Sequence, residues 1–111
     1  MSAFERRKHE RVPASIAIEV RDDRGFSLLS TRDLSGGGVF FDRSIPKALG
    51  LRVELRFTLP GEMRSIRCDG EIANVPDRNG YGMGVRFLNL SPGDEQRITD
   101  FTRAFSQRVG A

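Results

Sequence analysis

The stretch LRVELRFTL, residues 51–59, places Leu51, Val53, Leu55, Phe57 and Leu59 at alternate positions, with Arg52, Glu54, Arg56 and Thr58 between them. Strict alternation is the period of a β-strand with one wet face, and no helix can bury such a set on one side. The same period recurs along the chain. Ile16, Ile18 and Val20 alternate with Ala17, Glu19 and Arg21. After a turn at Asp22-Asp23-Arg24-Gly25, Phe26 to Asp33 reads as a second strand, and Val39-Phe40-Phe41 as a short third. Ile66, Cys68, Gly70, Ile72 and Asn74 alternate in a further strand, with an irregularity expected at Gly70. Pro76 to Gly80 is turn chemistry, and YGMGVRF, residues 81–87, is the last strand.

The period then changes. Ser91 is placed as an N-cap, with Pro92 at the first helical position and Asp94 three residues after the cap. Ile98, Phe101, Phe105 and Val109 follow at helical spacing, opposite Glu95, Asp100, Arg103 and Arg108. Six strands and then one amphipathic helix predict a mainly β fold: a six-stranded antiparallel β-barrel with one C-terminal α-helix. An open sheet backed by the helix is the competing layout. The expected division is a flexible basic arm over residues 1–12, the barrel over 13–90 and the helix over 91–109, all in a single domain.

Composition narrows the function classes. A chain of 111 residues can bury a core without staples, and its lone cysteine, Cys68, excludes an internal disulfide framework. No apolar run approaches the roughly 18 residues of a membrane span, and the charged N-terminus is unlike a signal peptide, so the expected location is the cytoplasm, with no membrane insertion. The formal net charge is +3, and residues 4–12 hold four Lys/Arg against two acids. The rest of the chain is nearly balanced, with fourteen against thirteen. A general nucleic-acid binder spreads its excess along a face.

Catalysis finds no support. There is one His, one Cys, no cluster at metal-ligand spacing and no phosphate loop. A Ser-His-Asp arrangement could use only His9, whose cationic neighbours disfavour the protonated form that a base must pass through. The chain therefore reads as a non-enzyme that needs no cofactor or metal. Two constellations remain. In the arm, Arg7 and Arg11 stand four apart with Arg6 directly before them, and arginine can grip phosphate or a guanine edge with two hydrogen bonds. Pro13 biases Val12 towards extended geometry, which lets the arm lie across the surface. Further on, DLSGGG offers the Asp33 carboxylate, the Ser35 hydroxyl and a backbone that can approach a ligand and adopt positive φ at Gly36, Gly37 and Gly38. Read separately, the first is also compatible with a solvated tail and the second with a glycine-rich turn.

Together, Arg7-Lys8-His9-Glu10-Arg11 and Asp33-Leu34-Ser35-Gly36-Gly37-Gly38 resemble the paired signature of PilZ domains, R-x-x-x-R followed by [DN]-x-S-x-x-G. GMGVRF, residues 82–87, also resembles that family's late glycine-rich strand, and the helix follows as in the family. The resemblance implies a receptor for cyclic di-GMP. Arg7 and Arg11 would clamp phosphate and guanine as the arm folds over the ligand. Asp33, Ser35, Gly36, Gly37 and Gly38 would form the opposite wall, with Asp33 reading a guanine edge. An arginine before the first motif arginine, here Arg6, goes in that family with two stacked ligands. Arg86 could add a contact from the late strand. With no output domain in view, ligand binding would signal by changed conformation to a downstream protein partner, from a monomer or weak dimer. The rival readings are a PilZ-like protein–protein adaptor that binds no nucleotide, and a basic β-barrel for single-stranded nucleic acid. The near-neutral body argues against the last.

Overall fold

The computed structural model describes residues 10–75 and 81–110, with side chains to residue 108. Arg6, Arg7, Lys8 and His9, the turn at Pro76 to Gly80 and the Val109 side chain lie outside the described residues. Seven strands run in the order β1 (Ala17–Asp22), β2 (Gly25–Ser30), β3 (Asp33–Ser35), β4 (Gly38–Phe41), β5 (Arg52–Phe57), β6 (Ile66–Asn74) and β7 (Met83–Phe87). The helix α1 (Pro92–Gly110) follows. The strands form one sheet in the order β2-β1-β5-β6-β7-β4-β3, every pair antiparallel.

Alternation is realised as burial. In β5, Val53, Leu55 and Phe57 point inward while Arg52, Glu54 and Arg56 are exposed. Ile18 and Val20 of β1, Ile66 and Ile72 of β6 and Met83 and Val85 of β7 meet them in one core. The Phe57 and Phe87 rings stack with centroids 6.0 Å apart. The sheet curls into a half-barrel. A bridge between Val12 and Leu34 lays the chain leading into β1 against β3, which is at the far end of the strand order.

The strand count is seven where six were expected, because the segment Phe26 to Asp33 is broken. Thr31 makes the break. Its N–H donates to the Ile16 carbonyl, its Oγ1 accepts from the Ile16 N–H and donates to the Ala14 carbonyl. The next residue already belongs to another neighbour, with the Arg32 N–H donating to the Phe40 carbonyl. A buried hydroxyl that satisfies two backbone groups ends one ladder where the next begins. The irregularity expected at Gly70 lies instead between Ile72 and Asn74. Gly70 has a packing role: a Cβ there would come within 2.6 Å of Val85 Cγ1 and 3.1 Å of Leu55 Cδ1.

Ser91 caps α1, its Oγ accepting from the Asp94 N–H at 3.1 Å. Ile98 and Thr102 are buried on the sheet side, and Phe101 and Phe105 pack against the core. Arg97 ties the helix start to the β5–β6 connection, donating to Glu62, to Asp94 and to the Arg64 carbonyl. These carboxylates raise the Arg97 pKa still further above its ordinary value. The helix lies against β3 and so buttresses the strand that carries Asp33 and Ser35. Among the described residues no helix is long and apolar enough to cross a membrane.

Candidate ligand groove

The site is built where β3, β4 and β7 run side by side. Asp33 opens β3 and pairs with Phe40 of β4. Ser35 pairs with Gly38 across the tight turn at Gly36 and Gly37. Gly38 in turn pairs with Arg86 of β7, and Phe40 with Gly84. Side chains far apart in sequence thus line one groove of about 520 Å³: Arg11, Arg32, Asp33, Ser35, Phe40 and Arg86, with backbone from Gly37 and Gly38.

Asp33 is 8% exposed, and its carboxylate is the focus of the groove. Arg32 Nε and one terminal nitrogen donate to Asp33 Oδ2 at 3.2 and 3.0 Å. The Arg32 guanidinium also lies 4.5 Å from the Phe40 ring centroid, within cation–π range. Arg11 Nε stands 4.0 Å from Asp33 Oδ1, and its side chain is 71% exposed, so it reaches the groove from the solvent side. The bridge at Val12 fixes the residue after it: the Val12 and Leu34 N–H groups donate to each other's carbonyls at 2.8 and 2.9 Å.

Ser35 serves its own turn. Its Oγ accepts from the Gly37 N–H at 3.1 Å and donates to the Gly38 carbonyl at 3.4 Å. The expectation of positive φ fails at Gly36 and Gly37, which lie outside the left-handed region, and equally at Gly38. What demands glycine there is the neighbouring strand, since a Cβ would stand 2.3 Å from the Val85 carbonyl oxygen. Gly36 is buried in the turn and does not line the groove. Arg86 does line it, and is ion-paired with Glu71 on the adjacent strand.

Sequence reasoning passed over two members of this groove. Arg32 directly precedes the motif aspartate, yet nothing in the local pattern says that its side chain turns back onto Asp33. Phe40 stands out in the sequence only as part of a short strand, but its ring is the aromatic surface of the groove, set opposite Asp33 by strand register. The arrangement can present arginine donors to an anion beside a carboxylate that accepts from N–H groups, with an aromatic face between them. Among the described residues no group of three or more His, Cys, Asp or Glu side chains is placed to hold a metal ion.

Comparison with known proteins adds to this geometry. The family model of the PilZ domain matches residues 5–104. The PilZ domain of YcgR from Escherichia coli, solved with c-di-GMP, superposes with a TM-score of 0.67 at 20% identity, covering 94% of both chains. The PilZ domain of CeSA from a cellulose-synthesizing bacterium gives 0.61 at 25% identity, covering 87% of this chain and 98% of that one. The Bacillus subtilis inhibitor of motility (MotI/DgrA) gives 0.79 at 17% identity over 92% of this chain, which spans about half, 52%, of that protein. No curated protein sequence matches the chain.

Proposed function

The chain belongs to the PilZ domain family, and from that premise we propose that it is a receptor for cyclic di-GMP whose ligand sits in the groove around Asp33. One observation carries the reading: Arg11 of the first motif and Asp33 of the second face the same groove, 4.0 Å apart at their nearest polar atoms. A volume of about 520 Å³ falls within the range of small-molecule sites. The ligand carries two phosphates and two guanines, which match arginine donors and a carboxylate acceptor.

Arg7 precedes Arg11 by four residues, a span of at most about 14 Å in an extended chain, so it can close over a ligand held at the groove. Asp33 accepts from the guanine edge, which requires Arg32 to release the carboxylate and turn to phosphate. Arg86 supplies a further donor from the opposite wall. Arg6 favours two stacked ligand molecules per chain. Ordering of the arm by ligand changes the surface offered to a protein partner, and that change is the signal. The structural neighbour MotI/DgrA is named an inhibitor of motility, and such a name suits signalling through a partner.

A second reading has its own observation. Asp33 and Ser35 are both engaged within the chain, by Arg32 and by the Gly37 N–H, as suits an adaptor that binds protein and no nucleotide. Calorimetric titration with cyclic di-GMP, against GTP and GMP, separates the two. Selective binding with two ligands per chain is the expected result, and one per chain discards the stacked pair. Absence of heat and of thermal shift, from folded protein, overturns the receptor reading in favour of the adaptor.

A further inference from the structure

One cross-strand row of the sheet runs through the Asp33 groove and out beyond it. Register sets Arg52 of β5 opposite Glu71 of β6, and Glu71 opposite Arg86 of β7. Arg86 in turn stands opposite Gly38 of β4, which pairs with Ser35 of β3. Residues directly opposite share a face, with Cβ atoms about 4.5–5.5 Å apart. A single carboxylate therefore stands between two arginines. Arg86 lines the Asp33 groove, whereas Glu71 and Arg52 do not.

The carboxylate serves one of the two. Glu71 Oε1 accepts from the Arg86 guanidinium. Arg52 is exposed and enters no ion pair among the described residues. It borders a groove that Asp22, Asp23, Glu54 and Asp69 also line, but Lys47 holds Asp22 and Asn89 holds Asp69. On its other side Arg86 faces Gly38, which has no side chain to obstruct it. The Arg86 side chain thus has two courses along the row. One runs back to Glu71, where it lies in the structure, and the other runs forward over Gly38 towards Ser35 and Asp33.

We propose that Glu71 competes with the bound ligand for Arg86, and that Arg52 takes over the Glu71 carboxylate when the ligand wins. The inference rests on the cyclic di-GMP reading of the groove. A phosphate there offers Arg86 the same kind of charge-assisted acceptor as the carboxylate does, and draws the side chain forward. Glu71, whose side chain is 27% exposed, is then left as a half-buried anion beside an anionic ligand. An unpaired charge so placed is costly. Arg52 offsets that cost from the strand on the far side. Ligand occupancy is thereby passed from β7 across β6 to β5 by an exchange of ion pairs. Glu71 and Arg52 together set the affinity of the groove, the first opposing the ligand and the second assisting it, and neither touches it.

Calorimetric titration of the full chain with cyclic di-GMP tests it, with circular dichroism to verify the fold of each variant. Glu71→Gln releases Arg86 and should tighten binding roughly two- to fivefold, the worth of an exposed ion pair. Loss of a negative charge also favours an anion through the general field, and that gain would persist without Arg86. Competition predicts instead that Glu71→Gln brings no gain in an Arg86→Gln background. Arg52→Gln should weaken binding about two- to fivefold, because Glu71 then keeps Arg86, and should have no effect in a Glu71→Gln background. A wild type that binds while Glu71→Gln binds no tighter overturns the inference and leaves the receptor reading standing. So does a gain that survives the loss of Arg86. An Arg52→Gln effect that survives Glu71→Gln overturns the transfer to Arg52. A folded wild type that gives no heat overturns the receptor reading, and this inference with it.

Discussion

Two grooves on the same sheet are lined by charged side chains and differ in how those charges balance. Across β1, β5 and β6, Glu19, Glu54 and Asp69 stand among Arg21, Arg56 and Arg67, three acids to three arginines around about 370 Å³. Glu19 serves two of those arginines, Arg21 at 3.7 Å and Arg56 at 3.9 Å, and Asn89 holds Asp69 by hydrogen bonds to its N–H and its carboxylate. In the other groove Arg11, Arg32 and Arg86 converge with Asp33 as the lining acid, and with Glu71 pairing Arg86 from outside the lining one arginine is left in excess. The number of arginines is the same. What marks a site for an anionic ligand is cation in excess of acid, gathered in a concave space, because matched pairs cancel beyond a few ångströms.

The largest effect that would break this contrast is expected from the double change Arg7→Ala/Arg11→Ala. Each arginine is assigned charge-assisted hydrogen bonds worth about 1.5–3 kcal/mol, so losing both should weaken cyclic di-GMP binding by roughly a hundredfold or more. Calorimetry measures it, and a thermal midpoint near that of the wild type shows that the arm binds and does not hold the fold. A binding constant unchanged by the pair would remove the difference between the grooves. Gly38→Ala comes next and acts on stability. Its Cβ would press on the Val85 carbonyl oxygen, and urea unfolding should show a loss of about 1–3 kcal/mol.

Cys68 lines the balanced groove yet is buried, and that burial pushes its thiol pKa up to about 12. The folded state therefore keeps the proton over a range where the unfolded chain, with an ordinary thiol near 9, has lost it. Stability from this group is complete below about pH 9 and is lost as pH rises from there towards 12. Urea midpoints of the wild type should accordingly fall faster above pH 9 than those of Cys68→Ala, and equal slopes would contradict the assignment. The smallest effect is expected from Arg21→Gln/Arg56→Gln, which removes two arginines from the balanced groove. Cyclic di-GMP affinity should stay within about twofold, as for exposed ion pairs worth ~1 kcal/mol or less. A tenfold loss would mean that both grooves take part.

The helix shows how far local pattern reaches. Ser91, Pro92 and Asp94 mark its start because a cap concerns neighbouring backbone groups only. The split of Phe26–Asp33 was hidden, since the Thr31 hydroxyl ends one strand through Ile16 and Ala14, which lie fifteen and seventeen residues earlier. Similarly, the DLSGGG stretch was legible as a candidate site, while the reason for Gly38 was not. The atom that excludes a side chain there belongs to Val85, on a strand that arrives much later in the chain.

Alternation was legible from the residues alone because successive side chains of an extended backbone point to opposite faces by covalent geometry. It therefore assigned the inward set of β5, β6 and β1, and the motif spacing identified the family. Only the tertiary structure decided which strands became neighbours. That choice set Phe40 beside Asp33, brought Arg11 and Arg86 to one groove and placed β2 at one end of the strand order. Strand order depends on how the whole sheet curls to bury its apolar face, and no short segment carries that information.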